Sequence, residues 1–215
     1  MNVDFPSRPV LRKGRLLLVS EYPSYECLTT GVPHPFFGVT YDVLERCCFY
    51  LKISPEDFSY TPIIRCWRNV EHVVTQKEYT ICRDYIKQFA TLSEAPAIVM
   101  LGSMVIKYSL PDSVAFKDGK YAGNDRLRKS WKEVPPMTLY GVPGVPSEHP
   151  ASVKLVRCNS QITFRSLCVD LIRAIEYAAT KSDAYARIAA GIDRTEYITD
   201  YRKLLREVEL RGKSG

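Results

Sequence analysis

The chain has 215 residues, of which 46% are hydrophobic and 25% are charged, and its formal net charge is +6. This composition is ordinary for a globular protein, and the length suffices for one domain with a full core. No apolar run approaches the roughly 20 residues of a membrane-spanning helix, and residues 1–14 lack the apolar segment of a signal peptide. We therefore expect a cytoplasmic protein without a membrane partner. The positive charge fits a polyanionic partner, or else simply a solvated surface.

The cysteines give no sign of a disulfide scaffold. There are seven, an odd number, and no two of them have CxxC spacing. We expect most of them to be buried as small hydrophobic residues.

Short apolar runs alternate along the chain with segments of helical periodicity. The runs have the length and composition of strands buried on both faces, and the other segments repeat apolar residues every three or four positions. Residues 22–37 and 116–131 are predicted to be loops. The predicted elements in chain order are a strand at 15–20, a helix at 40–51, a strand at 58–66, a helix at 75–89, a strand at 95–101, a helix from 104, a strand at 137–145 and a helix at 164–179.

This alternation predicts an α/β fold, in which helices are layered on a mainly parallel sheet. We assign residues 1–180 to this α/β domain. Ligands of such sheets bind at the carboxyl ends of the strands. One edge of the sheet should therefore hold Glu21, the loop after Cys66, Gly102 and the segment around His149.

Residues 181–215 are predicted to be a charged, helical C-terminal extension. Tyr185, Ile188 and Ile192 form a modest apolar stripe on it. The stripe is compatible with a partner protein that docks on residues 182–211, but we favour packing against the protein's own sheet.

Four short motifs occur in a definite order. They are Ser-Glu-Tyr-Pro-Ser at 20–24 with Gly31 and Pro-Phe-Phe-Gly at 35–38, Ile-Ile-Arg-Cys at 63–66, Ile-Val-Met-Leu-Gly at 98–102, and Pro-Ser-Glu-His-Pro-Ala at 146–151. Cys82 follows Cys66 by sixteen positions. In this order and at these separations the motifs resemble those of the uracil-DNA glycosylase superfamily, and most closely those of its iron–sulfur branch, family four.

The resemblance implies a fold and a chemistry. The fold would be a three-layer sandwich with a central four-stranded, mainly parallel sheet between helices and a nucleic-acid groove across the strand ends. Such enzymes flip a base out of the duplex. By the resemblance, His149 would donate a hydrogen bond to the departing base, and Glu21 would act near the sugar. Phe36 would stack on the base, and the loop containing Ser152 and Lys154 would enter the groove.

Two departures from the family's motifs affect the base pocket. Pro62 stands where the family has the Asn that reads uracil, and proline offers neither a polar side chain nor a backbone N–H. Tyr22 replaces a small residue of the first motif, so it would fill space near the pocket or offer a new stacking surface. We therefore do not expect uracil to be selected in the family's manner.

A third departure concerns the iron–sulfur cluster. The family's cluster needs four cysteines, and by the resemblance Cys66 and Cys82 match two of them. The other two should precede the first strand, but residues 1–19 contain no cysteine. We therefore expect no cofactor and no metal, and we interpret Cys66 and Cys82 as buried thiols.

Basic residues cluster in two segments near the predicted groove, and in the first segment they are interleaved with aromatic residues. This pattern suits single-stranded or sequence-tolerant binding of nucleic acid. The residues expected to bind it are Lys120, Arg126, Arg128, Lys129 and Trp131 in the first segment, and Ser152, Lys154 and Arg157 in the second.

The sequence thus supports three hypotheses. The first is a nucleic-acid-binding protein, for single-stranded DNA or RNA with low sequence specificity, on a uracil-DNA glycosylase fold with a remodelled, uracil-inactive pocket. The alternative is an active DNA glycosylase, a repair enzyme that excises a modified or damaged base with His149 and Glu21. The third is a structural or inhibitory partner protein that acts through the C-terminal extension.

Overall fold

The computed structural model of the protein describes residues 9–21, 23, 34, 36, 38–65, 75–109, 116–117, 120–121, 138–152 and 160–192. The strands in these ranges are β1 (Leu16–Ser20), β2 (Phe58–Pro62), β3 (Ile98–Leu101), β4 (Phe116–Lys117), β5 (Lys120–Tyr121), β6 (Thr138–Leu139) and β7 (Val142–Ser147). The helices are α1 (Val39–Leu51), α2 (Gln76–Leu92), α3 (Ser103–Ser109), α4 (Ser160–Ala179) and α5 (Asp183–Gly191), with a 3₁₀ turn at Pro55–Asp57.

The main sheet has five strands in the order β2-β1-β3-β7-β6. Strands β2, β1, β3 and β7 are parallel, and β6 pairs antiparallel with β7 at one edge. Strands β4 and β5 form a separate two-stranded hairpin. The α/β class and the mainly parallel sheet are as predicted, but the main sheet has five strands instead of four.

The extra strand arises because the predicted strand at 137–145 folds back on itself. Tyr140 and Gly141 both have positive φ, at 54° and 82°, and they connect β6 to β7 as a two-residue hairpin turn. Such a turn needs left-handed backbone at both positions, which Gly141 adopts easily and Tyr140 does not. Gly141 interrupts the predicted strand in the sequence, but a tyrosine before it is not typical of such a turn.

The helices form layers on the two faces of the sheet. The chain moves from β1 to β2 in one direction and from β2 to β3 in the other, so right-handed crossovers place α1 and α2 on opposite faces. Helix α4 contacts α1, while α3 contacts α2. This arrangement is consistent with a three-layer sandwich.

Strands β1 and β3 lie at the centre of the core. Every residue of both strands is buried, which explains their unbroken apolar sequences. Helix α1 joins the same core through the predicted stripe, whose buried members include Val43, Leu44 and Leu51. Strand β2 ends at Pro62, four residues earlier than the predicted strand. A proline is tolerated at this terminal position.

Helix α5 packs against α4 and belongs to the same core. The hydroxyl of Tyr185, which is fully buried, accepts a hydrogen bond from the backbone N–H of Leu16 at 2.8 Å and donates one to the carbonyl of Asp57. The first helix of the predicted extension is therefore tied to β1, whereas residues 193–215 lie outside the described ranges. No helix of the described chain combines the length and apolar character needed to cross a bilayer.

Candidate functional site

The four parallel strands end along one edge of the sheet, which we call the carboxyl rim. The last residues of these strands are Ser20, Pro62, Leu101 and Ser147. Chain connections leave β1 and β3 in opposite directions, so a crevice opens between their ends, where α/β proteins bind ligands. Glu21 follows β1, Gly102 follows β3, and His149 comes two residues after β7. The structure thus places these three residues at the carboxyl rim.

Gly102 holds the end of β3 against the His149 segment. Its N–H donates to the carbonyl of Ser147 at 2.9 Å. Its φ is +94°, and a Cβ at this position would lie 3.1 Å from Cβ and 3.4 Å from Cδ2 of His149. Only glycine combines this conformation with so close a neighbour.

His149 is fixed as a neutral imidazole. The backbone N–H of Ala151 donates to Nδ1 at 3.2 Å, and the N–H of Ser152 donates to the carbonyl of His149 at 2.9 Å. Burial lowers the pKa of His149 to about 4, so the ring is neutral at pH 7. Because Nδ1 accepts a hydrogen bond, the proton of the neutral ring resides on Nε2. His149 therefore presents an Nε2–H donor.

A buried polar pair, Ser147 and Asp170, joins the end of β7 to α4. The hydroxyl of Ser147 donates to Oδ2 of Asp170 at 3.0 Å, and both residues are fully buried. Nη1 of Arg173 lies 3.8 Å from the other carboxylate oxygen of Asp170. This pair ties β7 to α4 two residues before His149.

Glu21 is held through both its backbone and its side chain. Its backbone carbonyl accepts a hydrogen bond from the N–H of Ile64 at 2.9 Å, which joins the segments that follow β1 and β2. Its side-chain Oε1 accepts a hydrogen bond from the hydroxyl of Tyr79 at 2.7 Å. Burial raises the pKa of Glu21, while the hydrogen bond from Tyr79 acts in the opposite direction. A carboxylate with a raised pKa is suited to accept a proton.

Tyr79 is a site residue that sequence analysis missed. It comes from α2, is fully buried, and its ring stacks on that of Tyr108 in α3 with 3.9 Å between centroids and 10° between planes. The sequence shows Tyr79 only as a member of the apolar stripe of α2. No local signal links it to Glu21, because 58 positions separate the two residues.

Phe36 lies in a buried aromatic cluster. Its side chain is fully buried, and its ring meets that of Tyr60 edge-on at 5.2 Å between centroids. His34 lies 4.8 Å from Tyr60 and 5.0 Å from Tyr41 in the same cluster. Burial, with a smaller contribution from Arg12, lowers the pKa of His34 to about 4. A base could stack on Phe36 only if these neighbours moved, so its expected stacking role stays a prediction.

Pro62 is the buried last residue of β2 and lies beside Ser20 of β1. It therefore lies at the carboxyl rim next to Glu21 and brings no side-chain hydrogen-bonding group there, and its place in a base pocket stays a prediction.

Most of the basic residues expected to bind nucleic acid lie outside the described ranges. Ser152 is partly buried beside His149, and the backbone of Lys120 lies in β5, paired with Lys117. The predicted residues outside the described ranges are Tyr22, Arg126, Arg128, Lys129, Trp131, Lys154 and Arg157.

The described cysteines include three that are buried, namely Cys47, Cys48 and Cys168. Their burial agrees with the expectation for most cysteines. Burial raises the pKa of Cys48 to about 12, so its thiol stays protonated. Cys82 is partly buried, whereas Cys66 lies outside the described ranges. Within those ranges, no three His, Cys, Asp or Glu side chains are grouped as metal ligands.

Comparison of the sequence with models of known protein families and with curated proteins finds no match.

Proposed function

We propose that this protein binds single-stranded DNA or RNA across its carboxyl rim, with low sequence specificity and without excising uracil. An unstacked base would enter between the ends of β1 and β3, with Glu21 on the side of β1 and with Gly102, which neighbours His149, on the side of β3. This function rests on the glycosylase-like motifs, and the observation that carries it is the fixed, neutral state of His149.

His149 supplies a donor whose direction is set before any ligand arrives. The N–H of Ala151 occupies Nδ1, and Gly102 leaves so little room beside His149 that a Cβ at residue 102 would lie 3.4 Å from Cδ2 of the imidazole. The Nε2–H is therefore available to a carbonyl oxygen of a base. Bases of DNA and RNA carry such oxygens, except adenine, so this contact tolerates many sequences.

Pro62 explains why binding would not select uracil. Discrimination between uracil and cytosine requires a side chain that both donates and accepts hydrogen bonds. The buried proline beside Ser20 offers neither. Losing such a bidentate contact typically costs about 1–3 kcal/mol of discrimination.

Fluorescence anisotropy with single-stranded DNA, duplex DNA and RNA, each measured from low to high salt, tests the proposal. We expect the two single strands to bind best, with an affinity that falls steeply with salt because counterions are released. His149→Asn keeps an acceptor for the N–H of Ala151 but lacks the Nε2–H, and we expect binding about tenfold weaker. A salt-independent affinity, or equal binding by His149→Asn, would contradict the proposal.

The hydrogen bond between Tyr79 and Glu21 favours a second candidate, hydrolysis of the N-glycosidic bond of a modified or damaged base in DNA. Glu21 would take a proton from water as the water oxygen bonds to C1′ of the sugar. The electron pair of the C1′–N bond would leave with the base, and the Nε2–H of His149 would stabilise the resulting anion. The products are the free base and an abasic site.

Oligonucleotides that each contain one modified base, followed by alkaline cleavage of abasic sites, test this candidate. Product from the wild type that disappears in both His149→Ala and Glu21→Gln would establish excision. Gly141→Ala, in the turn at the opposite edge of the sheet, is the matched control and should keep full activity. If no base is released by the folded wild type, the second candidate is excluded and binding alone remains.

A further inference from the structure

Arg65 lies at the carboxyl rim but has no part in the site described above. It follows Ile64, whose N–H donates to the carbonyl of Glu21 at 2.9 Å. Arg65 is therefore fixed by its backbone close to Glu21, just beyond the end of β2. Its side chain is partly buried.

Two aromatic rings of α2 orient the guanidinium group of Arg65. Its Cζ lies 5.2 Å from the ring centroid of Tyr85 and 5.4 Å from that of Phe89. Tyr85 is 39% exposed and Phe89 only 8%, so the group sits where the helix surface meets the core. Cation–π contacts engage the face of a guanidinium and leave the N–H groups at its edge for an acceptor.

The hydrogen-bonding edge of Arg65 is not satisfied by the described part of the protein. Its Nε is buried and has no hydrogen-bond acceptor there. Ion pairs within the described ranges include Lys13 with Glu94, Arg15 with Asp57 and Arg173 with Asp170, and none of these three involves Arg65. A buried donor without an acceptor costs free energy, which an anionic ligand would recover.

We propose that Arg65 is a phosphate-binding residue, which receives a phosphodiester of the strand whose base enters the crevice beside Glu21. The guanidinium fork matches two phosphate oxygens, and the rings of Tyr85 and Phe89 hold it in place before binding. This inference rests on the proposed nucleic-acid function and assigns a contact with the backbone of the strand.

The salt dependence of binding separates a phosphate contact from a merely structural arginine. Each neutralised phosphate contributes about 0.7 to the slope of log affinity against log salt for single strands. For Arg65→Gln we expect roughly tenfold weaker binding of single-stranded DNA at low salt and a slope shallower by about that amount. Arg46→Gln, an exposed arginine of α1, is the control for lost charge and should keep the wild-type slope.

Arg65→Lys is a second variant, for the case that Arg65→Gln does not fold. It keeps the cation beside Tyr85. It should melt near the wild-type temperature, keep the slope, and bind more weakly because the planar fork is lost. If folded Arg65→Gln had the slope and affinity of Arg46→Gln, the proposal would be overturned.

A direct probe keeps this proposal distinct from the proposed function. The Nε–H resonance of Arg65 is followed by NMR during titration with inorganic phosphate, and with sodium chloride at equal ionic strength. We expect a saturable shift with phosphate alone. If the wild type bound no nucleic acid but this shift occurred, the nucleic-acid function would fail and the anion site would stand. Without the shift, the phosphate site is refuted.

Discussion

The hydroxyl of Tyr79 lies 2.7 Å from Oε1 of Glu21, and this hydrogen bond joins two residues that are 58 positions apart. Tyr79 is itself held by stacking on Tyr108 at 3.9 Å. The carboxyl group after β1 is thus oriented by a rigid aromatic pair from α2 and α3. The two sides of the crevice are thereby joined, and the chemistry of Glu21 depends on a residue outside every motif.

Tyr79→Phe should raise the pKa of Glu21 further. Burial already raises that pKa, and the hydrogen bond from Tyr79 opposes the rise, so removing the bond leaves the effect of burial alone. The titration of the Glu21 side-chain carboxyl carbon, followed by NMR in both proteins, measures the shift. We expect a stability loss of about 1 kcal/mol, typical of one hydrogen bond.

Tyr108→Phe is the control for this prediction, because it keeps a ring that can stack on Tyr79. It should leave the pKa of Glu21 unchanged. An unchanged or lowered pKa in Tyr79→Phe would show that the bond does not stabilise the ionised carboxylate. If excision activity is found, the acidic limb of its pH–rate profile should move to higher pH in Tyr79→Phe and should not move in Tyr108→Phe.

Gly102→Ala should displace His149, whereas Gly141→Ala should not. Both glycines have a positive φ, at 94° and 82°, so both variants carry a similar backbone strain of about 1–2 kcal/mol. A Cβ at residue 102 would also meet Cβ of His149 at 3.1 Å, while one at residue 141 meets nothing within 4 Å. Gly102→Ala should therefore lose more stability than Gly141→Ala, and it alone should weaken ligand binding.

Chemical denaturation of both variants, with their affinities for single-stranded DNA, checks this pair. The difference between them isolates the contact with His149 from the conformational cost shared by both. Equal stability and equal affinity in the two variants would mean that Gly102 does not position His149.

The parts of the fold that were predictable are those with a local cause. Strands β1 and β3 are buried on both faces, so their apolar runs reveal them directly. Glu21 and Gly102 were expected at one edge because each follows a predicted parallel strand, and the carboxyl ends of such strands meet at the same edge.

The parts that were missed depend on distant contacts or on unusual backbone. Tyr79 lies on an apolar stripe, and nothing in the pattern says that its hydroxyl faces Glu21. The orientation of Arg65 is set by Tyr85 and Phe89, which a separate helix supplies. The predicted strand at 137–145 is interrupted by Gly141 in the sequence, but Tyr140 adopts a left-handed conformation that a tyrosine rarely takes, so the interruption does not indicate a hairpin turn.

Tyr185→Phe tests whether α5 belongs to the core. The variant keeps the ring but removes the hydroxyl that accepts from Leu16 and donates to Asp57. The buried N–H of Leu16 and the carbonyl of the partly buried Asp57 each lose a hydrogen bond, so we expect a stability loss of about 1–3 kcal/mol by chemical denaturation. Tyr177, a partly buried tyrosine of α4, provides the comparison. Tyr177→Phe should lose less stability than Tyr185→Phe. If Tyr185→Phe left the free energy of unfolding unchanged, α5 would contribute little to the stability of the core.

Acid should destabilise the protein through His149. The ordinary pKa of this side chain is 6.5, and burial lowers it to about 4 in the folded protein. Between these values the unfolded chain binds a proton that the folded protein does not, so stability falls as the pH is lowered from about 6.5 to about 4. The loss for this one group is on the order of 3 kcal/mol, since each pKa unit corresponds to about 1.4 kcal/mol.

His34 titrates over the same window, because its pKa is also lowered to about 4. The wild type should therefore take up more than one proton on unfolding near pH 5, and His149→Asn and His34→Asn should each reduce this uptake by up to one. The uptake is obtained from the slope of unfolding free energy against pH. If His149→Asn retained the wild-type slope, the imidazole would be protonated in the folded state and its Nδ1 could not accept the N–H of Ala151. The tautomer that presents Nε2–H to a base would then have no support.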